Sequence, residues 1–166
     1  MPLTPSETRK VLAEIGHRPR KKLGQNFLVN GNIVKKSLLM SEAPKSRIIV
    51  EIGPGLGTLT EELLNQDYQV RAVEIDPNLM AYLQSRFSPW IKKKKLLLSE
   101  ADAVKFPTGH HLDPEAHFSV VANLPYAISS PWLEAVLSKK PLPESMTIML
   151  QKEAADRMWA EPGSKN

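Results

Sequence analysis

At 166 residues the chain has single-domain length, with 42% hydrophobic residues to build a core and an ordinary charged fraction of 24%. It contains no cysteine, which excludes disulfide frameworks, thiol nucleophiles and cysteine metal sites, and its four histidines (17, 110, 111 and 117) lack zinc-ligand spacing. No apolar run approaches the length of a membrane span and the basic N-terminus has no signal-peptide core, so the expectation is a cytoplasmic protein with no membrane or metal partner.

The net charge of +4 sits at one end. Residues 1–25 hold six Lys or Arg (Arg9, Lys10, Arg18, Arg20, Lys21, Lys22) against Glu7 and Glu14, which leaves the remaining chain neutral. A basic arm ahead of a neutral body suits contact with a polyanion, nucleic acid being the simplest; the alternative is a solvated, disordered leader. Within this arm, Thr4 or Ser6 can cap a helix running to about Ile15, with Val11, Leu12 and Ile15 as its apolar face and Gly16 as its end. His17 to Lys22 reads as an extended basic connector, kept out of helix by Pro19. Leu23-Gly24-Gln25-Asn26-Phe27-Leu28 is unusual for a linker because it sets two amides beside apolar residues. A further helix is expected from about Gly31 to Ser41.

Ile48, Ile49, Val50 and Ile52 form a buried strand, followed by Gly53-Pro54-Gly55-Leu56-Gly57 and a helix from Thr58 with Leu59, Leu63 and Leu64 on one face. Strand, glycine turn and helix in that order let a ligand approach the backbone, although a plain tight turn is the alternative. Neither the dinucleotide spacing nor the phosphate-loop lysine is present. Glu51, just ahead of the turn, would repel a pyrophosphate but accept from a cationic amino group, which favours S-adenosylmethionine. A second strand, 70–76, carries Glu74 near its end, twenty-one residues after Gly53, where a carboxylate can take both ribose hydroxyls. Asp76 before Pro77 reads as the N-cap of a helix through about Phe87, and Lys92 to Lys95 as a solvated loop.

Leu96 to Leu98 is the third strand; Asp102 at its exit can bond an adenine amine, or simply cap a turn. Residues 107–117 read as a surface loop, Phe118 to Ala122 as the fourth strand, Pro131 to Leu137 as a helix, Met146 to Leu150 as the fifth strand, and Lys152 to Trp159 as a helical start. This alternation predicts a doubly wound, mostly parallel α/β sheet with its ligands at the carboxyl ends of the strands. There, Asn123-Leu124-Pro125-Tyr126 follows the fourth strand. Pro125 fixes the turn so that the Asn123 amide and the Leu124 carbonyl can accept both N–H bonds of an adenine N6, while Tyr126 stacks on the base. A rigid asparagine turn with a core tyrosine is the alternative. The pattern points to in-line attack of the exocyclic nitrogen on a sulfonium methyl, on a base that is unpaired or flipped out.

Taken together, Leu23 to Leu28, Glu51 to Gly57, Glu74-Ile75-Asp76, Asp102-Ala103 and Asn123 to Tyr126 closely resemble the ribosomal RNA adenine dimethyltransferases, in particular those that modify two adjacent adenines near the 3′ end of small-subunit RNA. The resemblance implies a Rossmann-like, S-adenosylmethionine-dependent methyltransferase domain over 1–166, with its C-terminal strands and helical domain absent and the basic arm over 1–25. It implies that Gln25, Asn26, Leu28, Glu51, Gly53, Gly55, Glu74, Ile75, Asp102, Ala103 and Asn123 bind the cofactor, and that Asn123, Leu124, Pro125 and Tyr126 form the methyl-transfer centre. Ribosomal RNA in the immature small subunit is the partner implied, and an exposed sheet edge would favour self-association. A large-subunit RNA methyltransferase conferring antibiotic resistance, or a non-catalytic RNA-binding assembly module, are the competing readings.

Overall fold

The apolar runs become strands, most deeply buried at the centre of the sheet and partly exposed at its edges. In a computed structural model, which describes residues 4–17, 27, 31–40, 48–150 and 155, five strands form one sheet: β1 (Ile48–Ile52), β2 (Gln69–Glu74), β3 (Leu96–Glu100), β4 (Phe118–Asn123) and β5 (Ser145–Met149). All four pairings among them are parallel, in the order β3-β2-β1-β4-β5. The order reverses beside β1, with β2 and β3 on one flank and β4 and β5 on the other, as the doubly wound reading requires.

The helices that link the strands follow from local signals. Helix α1 (Pro5–Glu14) is capped by Thr4 rather than Ser6: Thr4 Oγ1 accepts from Glu7 N at 3.3 Å and Glu7 Oε2 accepts from Thr4 N at 2.7 Å. Helix α2 (Gly31–Met40) precedes the sheet, and α3 (Thr58–Asn65) follows the glycine turn. Helix α4 (Pro77–Arg86) starts at Asp76, whose Oδ1 accepts from Asn78 N at 2.9 Å and from Leu79 N at 3.3 Å. A short α5 (Ser88–Lys92) precedes the lysine run and was not expected there; Lys92, Lys93 and Lys94 are exposed, while Lys95 pairs with Asp67 at 2.7 Å.

Helix α6 (Tyr126–Leu137) begins five residues earlier than expected, and Pro131 lies inside it. The missing Pro131 N–H forfeits one bond to the Ala127 carbonyl. Packing outweighs that loss, because Ile128, Trp132 and Val136 lie four residues apart on one face, with Trp132 and Val136 buried. The loop over 107–117 is likewise less superficial than expected. Leu112 is buried in the same core, and the Trp132 indole donates to the Pro107 carbonyl at 3.2 Å. The helix expected over 152–159 lies outside the described residues, apart from a helical Ala155.

Side-chain alternation divides the core into two layers. Ile49, Val70, Ala72 and Val121 pack with Leu59, Leu63, Leu83 and Phe87 of the α3 and α4 side. Val50, Ile52, Val73, Phe118, Val120 and Ala122 pack with Trp132 and Val136 on the α6 side. A third cluster, Leu12, Leu56 and Leu79 with Val11, Ile15 and Phe27 against them, docks α1 on the glycine turn and α4. His17, expected in an open connector, is instead buried, with Nδ1 at 3.5 Å from Asp76 Oδ2.

The glycine turn itself is sterically committed. Gly57 is the left-handed N-cap of α3 (φ +78°), and a Cβ there would stand 2.4 Å from Phe87 Cε2. Gly57→Ala is therefore expected to destabilise by roughly 2–4 kcal/mol, from left-handed strain plus overpacking. Thermal denaturation should show a Tm lower by roughly 5–15 °C.

Candidate functional site

The carboxyl ends of β1, β2, β3 and β4 converge on two adjoining hollows. Gly53, Glu74 and Pro125 line both of them and so form the wall between. Gly53 N donates to the Val73 carbonyl at 2.9 Å, which pins the turn after β1 to the end of β2. Gly55 has φ +59°, and a Cβ on it would come within 3.2 Å of the Phe27 ring. A side chain at Gly55 would thus fill the space over the turn.

Glu74 closes β2 with its carboxylate buried at 4% exposure. Its Oε1 accepts from Ile75 N at 2.9 Å and Asp76 N at 3.0 Å, and its Oε2 accepts from Gly55 N at 3.3 Å. Burial pushes the Glu74 carboxyl above its ordinary pKa, against the opposing pull of these N–H donors. Glu51 faces the α3 layer at 1% exposure and accepts from Thr60 Oγ1 at 2.7 Å. Burial drives its pKa up to about 8; the Thr60 bond opposes this and the nearby Glu74 charge adds to it. Two buried carboxyl groups on neighbouring parallel strands thus bracket one backbone turn.

The first hollow, about 60 Å³, is lined by Glu51, Gly53, Gly55, Glu74, Asn123 and Pro125, with Thr8 of α1 and Phe27 on its outer side. The second, about 80 Å³, is lined by Gly53, Glu74, Ile75, Asp102, Ala103, Pro125 and Ile128. Asp102 Oδ1 accepts from Val104 N at 2.9 Å, so this carboxylate also organises the turn that leaves β3. Asn123 ends β4 opposite Met149, and Leu124 N donates to the Met149 carbonyl at 3.1 Å. Pro125 (φ −60°, ψ 141°) is the extended residue before α6, and Tyr126 is that helix's first residue.

Of the residues singled out from sequence, Glu51, Gly53, Gly55, Glu74, Ile75, Asp102, Ala103, Asn123 and Pro125 line these hollows. Leu124 lines neither; its side chain is 3% exposed in the α6-side core. Gln25, Asn26 and Leu28 lie outside the described residues, as does the side chain on which the stacking role of Tyr126 rests. Thr8 and Phe27 went unassigned by sequence reasoning: Thr8 is on a helix that carries no local sign of where it docks, and Phe27, within the Leu23 to Leu28 stretch, was given no role of its own. The helix's apolar face of Val11, Leu12 and Ile15 indicated only that it docks somewhere. Among the described residues no group of three or more His, Asp or Glu could hold a metal ion, and no helix is long and apolar enough to cross a membrane.

The family model for ribosomal RNA adenine dimethylase matches residues 16–166. The chain belongs to that family. A curated relative from Opitutus terrae, named ribosomal RNA small subunit methyltransferase A, is 54% identical over 169 residues, covering 100% of this chain and 60% of its own length. One of the same name from Hahella chejuensis is 43% identical over 150 residues, covering 90% of this chain and 54% of its own. The chain thus spans a little over half the length of these curated relatives. Among solved structures, a dimethyladenosine transferase from Plasmodium falciparum superposes with a TM-score of 0.64 at 32% identity, over 81% of this chain and 46% of that one. The 23S rRNA methyltransferase ErmE gives 0.64 at 29% identity, over 79% and 50%.

Because Glu51 holds its proton more tightly folded (pKa about 8) than unfolded (4.5), its contribution to stability is complete below pH 4.5 and is lost as pH rises through about 8. Glu51→Gln keeps the Thr60 bond without the ionisable proton. The variant is expected to be more stable than the parent at pH 8.5 by roughly 2–4 kcal/mol and to match it near pH 4.5. Thermal denaturation across that range checks this; equal pH slopes would mean that Glu51 is ionised in the fold.

Proposed function

We propose that the chain carries the cofactor-binding part of an S-adenosylmethionine-dependent enzyme that dimethylates N6 of two adjacent adenines near the 3′ end of small-subunit ribosomal RNA, in the cytoplasm. The observation that carries this reading is the meeting of Glu51, Glu74, Asp102 and Asn123 around one glycine turn. The donor set suits the cofactor. A bare turn at Gly53 and Gly55 accepts the amino-acid arm, Glu51 lies where a cationic amine needs an acceptor, and Glu74 offers two oxygens to a ribose diol. Asp102 and Ala103, in the second hollow, suit an adenine ring and its amine. Gln25, Asn26 and Leu28 complete this set on the family resemblance.

S-adenosylmethionine, when bound, supplies an electrophilic sulfonium methyl group. The chain's own part is placement. Asn123 and the Leu124 carbonyl would accept the two N–H bonds of the target amine and turn its lone pair toward the first hollow. Alignment of this kind is worth roughly 7–11 kcal/mol over a random encounter. As positive charge grows on the amine, the same two oxygens stabilise it. Tyr126 would stack on the base, and the basic segment 1–25 would contact RNA phosphates. The two hollows adjoin, so that a ligand with an amino-acid arm and an adenosine part would extend across both.

The small-subunit substrate is preferred to the large-subunit one because the relative at 54% identity is named for the small subunit, against 29% for the 23S enzyme. Calorimetric titration of S-adenosylmethionine should give saturable heat. Glu74→Ala should weaken binding by roughly tenfold or more, the worth of one charge-assisted hydrogen bond or better. Asn123→Ala should keep cofactor binding within a few-fold and abolish methyl incorporation into immature small subunits. A chain that gives no heat and no thermal shift with the cofactor is not this enzyme.

A further inference from the structure

A third cavity lies away from the carboxyl edge, between residues 106–112 and the C-terminal end of α6, and its volume of about 490 Å³ far exceeds that of either hollow described above. Its floor is fixed. Leu112 and Val136 are buried in the α6-side core, and the Pro107 carbonyl is held by the Trp132 indole at 3.2 Å. The rim is aromatic and basic: Phe106 is 56% exposed, and His110, His111, Lys139 and Lys140 are exposed around it. Among the described residues no carboxylate lines the groove; Asp113 and Glu115 follow it in the chain, with Asp113 Oδ1 accepting from Glu115 N at 2.9 Å.

The basic rim is held in place by main-chain contacts. Lys139 Nζ donates to the Lys105 carbonyl at 3.0 Å, and Arg71 donates to the His111 carbonyl at 3.0 Å. His110 Nε2 sits 3.2 Å from the Leu98 carbonyl. These contacts use carbonyls and leave the cationic charges of Lys139 and Arg71 without a counter-carboxylate in the bonds named. Two adjacent exposed lysines, Lys139 and Lys140, beside an exposed aromatic ring are the combination that takes a phosphate backbone and a stacked base.

Connectivity ties this groove to the proposed reaction. The segment that leaves the second hollow at Asp102 and Ala103 becomes its wall at Phe106. Helix α6 has Ile128 at the hollow and Val136 at the groove, eight residues apart, or roughly 12 Å at the rise of an α-helix. A few nucleotides of a single strand cover that distance. We propose that this groove binds single-stranded RNA, with phosphates at Lys139 and Lys140 and a base on Phe106, so that the strand is held at a point remote from the methylated base. The inference rests on the RNA-directed reading above.

Fluorescence anisotropy with a fluorescein-labelled eight-nucleotide single-stranded RNA tests it, using the whole chain and a calorimetric titration with S-adenosylmethionine in parallel. Lys139→Ala combined with Lys140→Ala should weaken RNA binding at least fivefold and make the log–log salt slope shallower by about 1.4, two phosphates on a single strand. Phe106→Ala should weaken it by about fivefold or more, and Phe106→Tyr should restore it, because stacking needs a ring. All three variants should bind the cofactor as the parent does. Unchanged RNA affinity and salt slope in the double lysine variant, with cofactor binding intact, overturn the groove and leave the methyltransferase reading standing. A parent chain that binds this RNA but not the cofactor overturns the methyltransferase reading instead.

Discussion

The Glu74 carboxylate is the junction on which the carboxyl edge of the sheet depends. Its oxygens accept from the main chain of Gly55, Ile75 and Asp76, and so tie the turn after β1 to the end of β2 and the start of α4. Asp76 then caps α4 and faces the buried His17, which extends the connection to the N-terminal helix. A buried carboxyl group raised in pKa is costly to ionise, and the fold keeps it because three N–H donors already point at it. A ligand offering hydroxyl donors would meet an acceptor whose position is already set.

Glu51 shows the same economy through strand alternation. Within β1, Ile49 and Glu51 face the α3 layer while Val50 and Ile52 face α6. The one charged residue of the central strand therefore has to lie against α3, where Thr60 meets it at 2.7 Å. Its neighbour β2 carries Glu74 at the edge of the same hollow, and the Glu74 charge adds to the burial that raises the Glu51 pKa. The free protein thus carries an electrostatic cost at this edge, which a bound cation would relieve.

Much of this was legible in the sequence because a parallel sheet delivers all its strand ends to one rim. Once Ile48 to Ile52, the glycine turn, the end of β2 and Asn123 were placed on strands, their convergence followed from topology. What stayed hidden depends on contacts between distant segments. Thr8 and Phe27 reach the site because α1 docks on Leu56 and Leu79, which no local pattern encodes. His17 looks like part of a basic connector until Asp76 is placed beside it. Helix α6 starts before its proline because Trp132 and Val136 bury enough surface to outweigh one lost hydrogen bond. Pro107 and Leu112 sit in a polar stretch, yet Trp132 and the α6-side core draw them inward.

The register of the central strand also sets an order of assembly. Ile48 pairs with Gln69 on one side but with Phe118 on the other, seventy positions along the chain. During synthesis from the N-terminus, β1, β2 and β3 can zip together with α3 and α4 early, while the opposite flank of β1 waits for β4. A nascent chain at that stage already holds both acidic groups and the glycine turn, and lacks the asparagine that completes the rim. Both hollows therefore stay open on one side until the chain beyond β4 delivers Pro125.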